Sequence, residues 1–590
     1  MLKNNNNDKL QQEYNTEFIY FIQLWGELLD YRTIDIYQHN ILNSFLAMQE
    51  LLQVIDNTLA GIYTSQFNFD DCKNETAYLL ENDDIIENVN PYIYNSLKNK
   101  LYAKADTKES KIALKAQLKS SIRIIGDNYI DEILKELKNN LQLNDIEKIT
   151  KHTKMLISQC LHNGWSQKAL METTRFLASP EVSFDDNWGN FSHKLKNTLG
   201  ISHHVYIELA IQTISSEKKL KVITELKDMG CQVKEKHEIL DSYTGEDLDS
   251  LIHSEKIYLF IETTAPDVYS AASQALQAIA NKIYLLSFYG FINFWNIGSS
   301  TIFVINPVSR YRKSFNADSL FKPYEYIDIT NRVFEKTKEI FSSSNNNIIE
   351  KLSGAFAYTN ISKASMFQEA KFINLWVALE SLVRTGLYKD IITNLKEVVP
   401  AACTRRYIFS VIRNFIEDCN RCGVSLEFSD INIDIAQKQD AVEKMLSIMQ
   451  SGTQYSELES KMNVNTLLFK RCKEVHALVT DYKLLRKKLE NHHKMIKWQL
   501  QRLYRIRNGI AHSANNFNLS TMHIRHLFSY LTTTILEIVA IACENEFENI
   551  DEICCKIVDD YSCAIELLKN TRMNSTIQQT ILKTGFIDLI

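Results

Sequence analysis

The chain has 590 residues, of which 45% are hydrophobic and 23% are charged, and its formal net charge at pH 7 is −6. This length is too great for one hydrophobic core, and the composition is that of an ordinary soluble protein, so we expect several domains. The negative charge excludes nucleic-acid binding through bulk charge and confines any such site to a local patch. Because only 6 prolines and 16 glycines are present, the sequence predicts a mainly α-helical, multidomain protein.

The start of the chain and its cysteines indicate a reducing cytoplasm. Met1 and Leu2 are followed by a lysine and four asparagines, without the apolar segment of a secretory leader. The 11 cysteines are scattered and odd in number, which does not favour a disulfide framework. The most apolar late stretch, 527–542, is short for a membrane span and contains several polar residues, so it predicts a buried helix. We therefore expect no membrane contact.

Residues 1–200 predict a helical N-terminal region that carries no chemical motif, and we expect it to act as a sensor or regulator. A clear helical face is formed by Ile130, Ile133, Leu134, Leu137 and Leu141.

After residue 200 the pattern changes to alternating strands and helices. Strands are predicted at 204–213, 231–238, 256–263, 283–289 and 301–306, with helices at 215–229 and 266–282. The order β-α-β-β-α-β predicts a central ferredoxin-like α+β domain over 201–341. This fold supports many unrelated activities and therefore predicts none.

The polar segment 342–347 is typical of a linker, and the chain beyond it is helical in pattern. We expect a helical domain over 349–545 with a helical insertion at 389–490, followed by a C-terminal helical tail at 546–590. The first informative helix of this domain carries apolar residues at core spacing, namely Phe372, Leu375, Trp376, Leu379, Leu382 and Val383.

One segment of this domain is strongly basic. Between Lys483 and His512 there are nine lysines and arginines and one acid, Glu490. A local positive strip of this kind can bind a phosphate backbone, and Trp498 and Tyr504 within it can stack on bases. The alternative is a solvated helix face with two core aromatic residues. The candidate RNA-binding residues are Lys494, Lys497, Arg502 and Arg505.

The strip ends in Arg507-Asn508-Gly509-Ile510-Ala511-His512. A guanidinium group can hold a phosphate with two hydrogen bonds, and an imidazole can exchange protons at cellular pH. RNA supplies its own nucleophile, the 2′-hydroxyl, so an Arg/His pair is sufficient for cleavage without a metal or cofactor. On an ideal helix, however, Arg507 and His512 lie about 140° apart. Either a kink at Asn508 and Gly509 or a two-fold partner could bring an arginine and a histidine together.

The motif Arg-Asn-x-x-x-His after a basic helix resembles the signature of HEPN domains. The segment 372–382 (FINLWVALESL) is similar to the first helix of the branch called ApeA-like HEPN. The resemblance covers about 349–545, interrupted by 389–490. It implies a helical bundle that dimerises, with a metal-independent ribonuclease site at the dimer interface and products that end in a 2′,3′-cyclic phosphate. Many members of the superfamily are bacterial ribonucleases of antiphage defence and toxin systems.

By this resemblance Arg507 and His512 are catalytic, Asn508 shapes the site, and the protein is an abortive-infection toxin that acts on RNA as a dimer or a dimer of dimers. Glu380, one helical turn after Trp376, is a candidate to hydrogen-bond Arg507 or His512. A non-catalytic HEPN scaffold that binds RNA or a partner protein is the alternative. The linker suggests that the front of the chain restrains the nuclease until a trigger such as a phage-derived molecule binds, so that a fragment from residue 347 onward is active alone. The alternative is that the front recruits a specific RNA, in which case the fragment would be much less toxic than the full chain.

A zinc site is the weaker alternative for the cysteines. Cys419 and Cys422 have ligand spacing, and Cys472 with His476 could complete a set, but no second Cys-x-x-Cys exists. We therefore expect no bound metal.

Overall fold

The computed structural model describes residues 15–30, 33–35, 42–63, 65–177, 183–196, 201–209, 216–243, 256–292, 300–309, 311–317, 320, 331–343, 346–365, 367–428, 430–513, 519–544, 547 and 549–569. The protein is mainly helical, with one small antiparallel sheet of five strands in the middle of the chain, as the shortage of helix breakers predicts.

The N-terminal region is a series of helices, which confirms its predicted class. They are α1 (Thr16–Leu29), α2 (Ser44–Leu59), α3 (Gln66–Glu81), α4 (Asp84–Val89), α5 (Pro91–Tyr102), α6 (Lys108–Ile125), α7 (Tyr129–Leu143), α8 (Ile146–His162), α9 (Gln167–Leu177) and α10 (Phe184–Lys196). Several begin at a side chain that accepts a hydrogen bond from the first turn, such as Asn15, Asn43 and Asn90. These caps satisfy backbone N–H groups that have no partner within the helix.

The central region contains β1 (Ser202–Glu208), α11 (Ser216–Asp228), β2 (Gln232–Glu235), α12 (Lys236–Ser242), β3 (Ile257–Thr264), α13 (Val268–Phe288), β4 (Thr301–Ile305) and β5 (Arg312–Asn316). The strand order is β2-β3-β1-β4-β5, and every neighbouring pair is antiparallel. Gly230, with φ of 78°, ends α11 in the left-handed conformation that glycine adopts without steric cost, as predicted.

The predicted strand at 283–289 is wrong, because this segment is the end of α13. Ile283 and Leu286 are buried and continue the helical face formed by Ala275, Leu276 and Ile279. Packing of this face therefore outweighs the β-propensity of its isoleucine and aromatic residues. The edge strand β5 was not predicted, since its polar sequence RKSFN has no alternation of apolar residues.

The C-terminal region is again helical. Its helices are α14 (Asn331–Ser342), α15 (Asn346–Ala364), α16 (Gln368–Val383), α17 (Ile391–Arg421), α18 (Lys438–Gln450), α19 (Gly452–Lys461), α20 (Thr466–Thr480), α21 (Tyr482–Ser513), α22 (Thr521–Glu544) and α23 (Ile550–Lys569). The six apolar residues that predict the core face of α16 are all fully buried. In the predicted insertion, α17 packs against α21, α22 and α23, so this helix belongs to the centre of the helical region.

Two compact units make up the chain, and they divide it differently from the predicted domains. One unit consists of Met1–Gln159, Tyr326–Ala364 and Glu369–Ile590, and the other of Cys160–Glu325 with Ser365–Gln368. The helices α1 to α7 thus share a unit with the C-terminal helices, whereas α9 and α10 belong to the unit that contains the sheet. The predicted linker at 342–347, of which 344 and 345 lie outside the described residues, falls within the first unit and not at its edge.

The late apolar stretch forms part of α22, as predicted. Within the described part of the chain, Thr521–Cys543 is long and apolar enough to cross a membrane by composition alone, but 61% of this window is buried inside the protein. It also carries the fully buried carboxylate of Glu537, which pairs with Arg406 of α17. A core helix of a soluble protein has these properties.

Candidate active site

The helix that carries the Arg/His motif is continuous through the motif. α21 continues without interruption from Tyr482 to Ser513, so Asn508 and Gly509 are helical and do not provide the kink that was considered from the sequence. Arg507 and Asn508 are half-buried, and the Arg507 guanidinium donates a hydrogen bond to the Asn508 amide oxygen at 3.1 Å. The side chain of His512 lies outside the described residues. The backbone alone keeps Arg507 and His512 about 140° apart.

Glu380 lies beside Arg507, at the position where the sequence suggested an accessory carboxylate. Its Oε2 is 3.8 Å from Nη2 of Arg507, and the side chains are 19% and 29% exposed respectively. The same oxygen accepts a hydrogen bond of 2.8 Å from the indole N–H of Trp376, one turn earlier on α16. The Trp376 ring also contacts the Tyr504 ring at 6.0 Å between centroids. The buried indole therefore fixes the carboxylate that faces the guanidinium.

Arg502 and Arg505 do not face solvent, which contradicts their predicted contact with RNA. Arg502 donates to Glu50 of α2 at 2.9 Å and to Glu75 of α3 at 2.6 Å, and Arg505 also pairs with Glu50. The exposed fractions of the arginines are 4% and 5%. We call these four residues the buried ion-pair cluster. Both guanidinium groups are paired with carboxylates more than 400 positions away in the sequence. The two arginines are therefore structural in this conformation.

The two carboxylates of the cluster are affected differently by their surroundings. Burial favours a neutral Glu50, but the charges of Arg502 and Arg505 outweigh it and lower the Glu50 pKa to about 2. Burial raises the pKa of Glu75, and the neighbouring charge of Glu50 raises it further. The two arginines thus hold Glu50 ionised in the interior, as a buried carboxylate requires.

The two predicted RNA-binding lysines are half-buried and have partners within the protein. The Lys497 ammonium is 2.8 Å from Glu397 of α17. The Lys494 ammonium lies over the rings of Tyr78 and Trp498, at 4.5 and 5.1 Å from their centroids. Trp498 is 7% exposed and packs on Tyr78, so it is a core residue and presents no surface for base stacking. Of the four candidate RNA-binding residues, only the two lysines have partners that a phosphate group could displace.

Other histidines near the motif are poor candidates for proton transfer. Burial lowers the pKa of His492 and of His493, both on α21, to about 3, and burial lowers that of His523 on α22 to about 3 as well. His492 stacks on Tyr407, and His493 stacks on Tyr561. Burial favours the neutral form of these imidazoles, so they are not poised to gain and lose a proton near neutral pH, and the predicted general acid and base remains His512.

The cysteines considered for zinc lie in an apolar core. Cys419 and Cys472 are fully buried among the residues of α17, α18 and α20, and burial holds the thiol pKa of each above its usual range. His476 directs its Nδ1 to the Met449 carbonyl at 2.8 Å and stacks on Tyr455. Over the ranges that the structure describes, no three His, Cys, Asp or Glu side chains are grouped as metal ligands.

Comparisons of the chain with protein-family models, with curated proteins and with solved structures found no match. Sequence reasoning missed Glu50 and Glu75, although a signal exists, since each is an acid on the buried face of a helix whose other buried residues are mostly apolar. An acid at such a position indicates a cationic partner elsewhere in the chain.

Proposed function

We propose that the protein is a cytoplasmic, metal-independent endoribonuclease of the HEPN type, in which Arg507 binds the scissile phosphate and His512 transfers protons. The observation that carries this proposal is the contrast along α21. Arg502 and Arg505 are buried in ion pairs, whereas the Arg507 guanidinium is 29% exposed and is oriented by a fixed carboxylate at 3.8 Å. An oriented, accessible guanidinium is what stabilisation of a pentacovalent phosphate requires.

The proposed active form is a homodimer, because a continuous helix places Arg507 and His512 on different faces and does not direct both to the same phosphate. Because the two residues lie about 140° apart around the helix, an RNA bound along one side of a single chain can contact either the arginine or the histidine. A two-fold axis next to the end of α21 would place Arg507 of one copy opposite His512 of the other. The site is then complete only at the interface, which agrees with the implication of the HEPN resemblance. A dimer of dimers satisfies the same requirement.

For the central region we propose the ferredoxin-like fold and a regulatory role in antiphage defence. Support for the fold comes from the strand order β2-β3-β1-β4 with helices after β1 and β3, to which β5 adds an edge. The sensing role was expected for the whole region before residue 342. The buried ion-pair cluster assigns part of that region a structural role instead. α2 and α3 hold the catalytic helix and are part of its support, so regulation is proposed for the unit that contains the sheet.

Cleavage of purified total RNA tests the proposed chemistry. We expect activity to persist in excess EDTA and to give 5′-hydroxyl ends with 2′,3′-cyclic phosphate or 3′-phosphate, because the 2′-hydroxyl is the nucleophile. Mapping the ends of the products measures this. Strict magnesium dependence with 5′-phosphate products would contradict the proposal. Saturable RNA binding without any cleavage would support the scaffold alternative.

Replacement of Glu380 by glutamine is expected to slow cleavage by about tenfold, because a displaced guanidinium stabilises the transition state less well. Glutamine keeps an acceptor for the Trp376 indole, so the fold should not change. The measurement is the single-turnover rate at saturating RNA, which reports the chemical step. Glu350→Gln, at an exposed position of α15, is the matched control and should cleave at the wild-type rate. Equal rates for both variants would remove Glu380 from the site.

A further inference from the structure

The face of the sheet opposite α13 is aromatic. Tyr269 of α13 contacts Phe315, whose β-partner is Ile302, so this helix covers the face that bears Ile302. On the other face the register aligns aromatic side chains of the central strands, with Tyr206 of β1 opposite Phe260 of β3 and Phe303 of β4. The ring of Tyr206 stacks on that of Phe303 at 4.6 Å and lies 5.1 Å from that of Phe260.

Only part of this aromatic face is covered. Ile239 of α12 packs on it and helps to bury Tyr206, Tyr258 and Phe303. Phe260, in contrast, is only half-buried, as are His204 and Tyr243. These three rings border a cleft with a volume of about 450 Å³, which we call the sheet cleft. Its size is in the range of small-molecule sites, about 300–1,000 Å³.

The rings of the sheet cleft are held by one another. His204 contacts the Phe260 ring edge-on, at 5.3 Å between centroids, and its Nδ1 is hydrogen-bonded to the Tyr243 hydroxyl. The Tyr206 hydroxyl donates to the same oxygen at 3.4 Å. The aromatic side chains are therefore already fixed before a planar ligand binds. Binding is favoured because it does not carry the entropic cost of ordering them.

Polar groups lie at the rim of the cleft. Gln232 of β2 is paired with Phe260, and Lys234 follows two residues later on the same face of the strand. The Lys234 ammonium is 3.9 Å from Glu238, and both side chains are more than a third exposed, so this ion pair is weak and a phosphate can displace it. The described residues that line the cleft include one cation, Lys234, and no carboxylate.

We propose that the sheet cleft binds a nucleotide, with the base stacked on the Phe260 ring and the phosphate at Lys234. Aromatic side chains on the central strands of an open sheet are a known platform for bases, because every base has a π-face. Gln232 and Asn306 at the rim offer hydrogen bonds to the edge of a base. The chemistry fits a free nucleotide or a nucleotide of a single strand. The proposal does not depend on the ribonuclease activity.

Calorimetric titration of the full chain tests this site with AMP, with adenosine and with a 2′-O-methyl hexa-adenylate, which cannot be cleaved through a 2′-hydroxyl. We expect saturable binding of AMP or of the hexamer. Phe260→Leu should weaken it about tenfold, since leucine keeps the apolar volume and removes the stacking surface. Lys234→Gln should weaken AMP but not adenosine, because adenosine has no phosphate.

The controls are Tyr289→Leu, an exposed aromatic residue outside the cleft, and Lys227→Gln, an exposed lysine of α11. Both should bind as the wild type does. Binding of AMP with this pattern identifies a free nucleotide as the source, and binding of the hexamer alone identifies a strand. No saturable binding of either probe overturns the proposal, as does binding that Phe260→Leu leaves unchanged. If Phe260→Leu does not fold, Lys234→Gln and the wild-type titrations decide by the same criteria.

Discussion

Replacement of Arg507 by alanine, and separately of His512 by alanine, is expected to reduce RNA cleavage by on the order of a hundredfold or more, because each removes one half of the chemistry. Loss of the Arg507 side chain should not affect folding, since it is only half-buried and its contact with Glu380 is long, at 3.8 Å. Arg123→Ala and His237→Ala, both at exposed positions, are the matched controls. Wild-type rates in both Arg507 and His512 variants would show that the site assignment is wrong.

A mixture of the two inactive variants tests whether two chains share a site. If Arg507 of one chain acts with His512 of the other, each mixed dimer contains one intact arginine–histidine pair. Random association would then restore about a quarter of the wild-type activity, because about half of the dimers are mixed and each has one of two pairs intact. Coexpression followed by single-turnover assays measures this. No restoration, with mixed dimers shown by mass spectrometry, would place both residues of a site on one chain.

Removal of Glu75 is expected to destabilise the helical unit by about 3–5 kcal/mol, since it leaves the buried guanidinium of Arg502 with less compensation. The shift of the urea unfolding midpoint of Glu75→Ala, followed by circular dichroism, measures it. Glu81→Ala is the control on the same helix, where a carboxylate exposed to 43% lies 3.9 Å from Lys98. An exposed pair of this kind contributes at most about 1 kcal/mol. Similar midpoints for the two variants would contradict the structural role of the cluster.

The same cluster argues against the expectation that a fragment from residue 347 onward is active alone. Such a fragment lacks Glu50 and Glu75, and also Glu27, which pairs with the buried Arg471 at 3.0 Å. Buried arginines without their carboxylates are too costly for the helices to pack as they do in the full chain. We expect the fragment to be unfolded or aggregated and not toxic. A folded, toxic fragment would show that the front of the chain is dispensable for the catalytic helix.

Local sequence patterns correctly predicted those features of the fold that depend on the residues of a single helix or on overall composition. The apolar spacing from Phe372 to Val383 predicts the buried face of α16, and the scarcity of proline and glycine predicts the helical class. The strand prediction failed at 283–289, because a buried helical face and a β-rich composition coincide there. Within the helical segments, sequence could not reveal which faces meet.

The basic strip illustrates that limit at the candidate site. Its cations were expected to face solvent, yet Arg502 and Lys497 pair with Glu75 and Glu397, which lie in other helices far away in sequence. Charge along a helix is visible in the sequence, but its neutralisation by distant acids is not. Glu380 does lie beside Arg507, but at 3.8 Å it forms an ion pair and not the predicted hydrogen bond, and its role in a site stays a prediction.

The two sides of the buried ion-pair cluster are translated at very different times. Glu50 and Arg502 are 452 residues apart, so a ribosome that adds about 5–20 residues per second makes the arginine roughly 20–90 s after the glutamate. Until then α2 and α3 lack the cations that their carboxylates need. The helix that bears Arg507 is translated long after α2 and α3, and it packs on these helices once it has been made. A nascent chain that ends before α21 therefore lacks the proposed nuclease site, so this site can form only after the unit that contains the sheet has been translated.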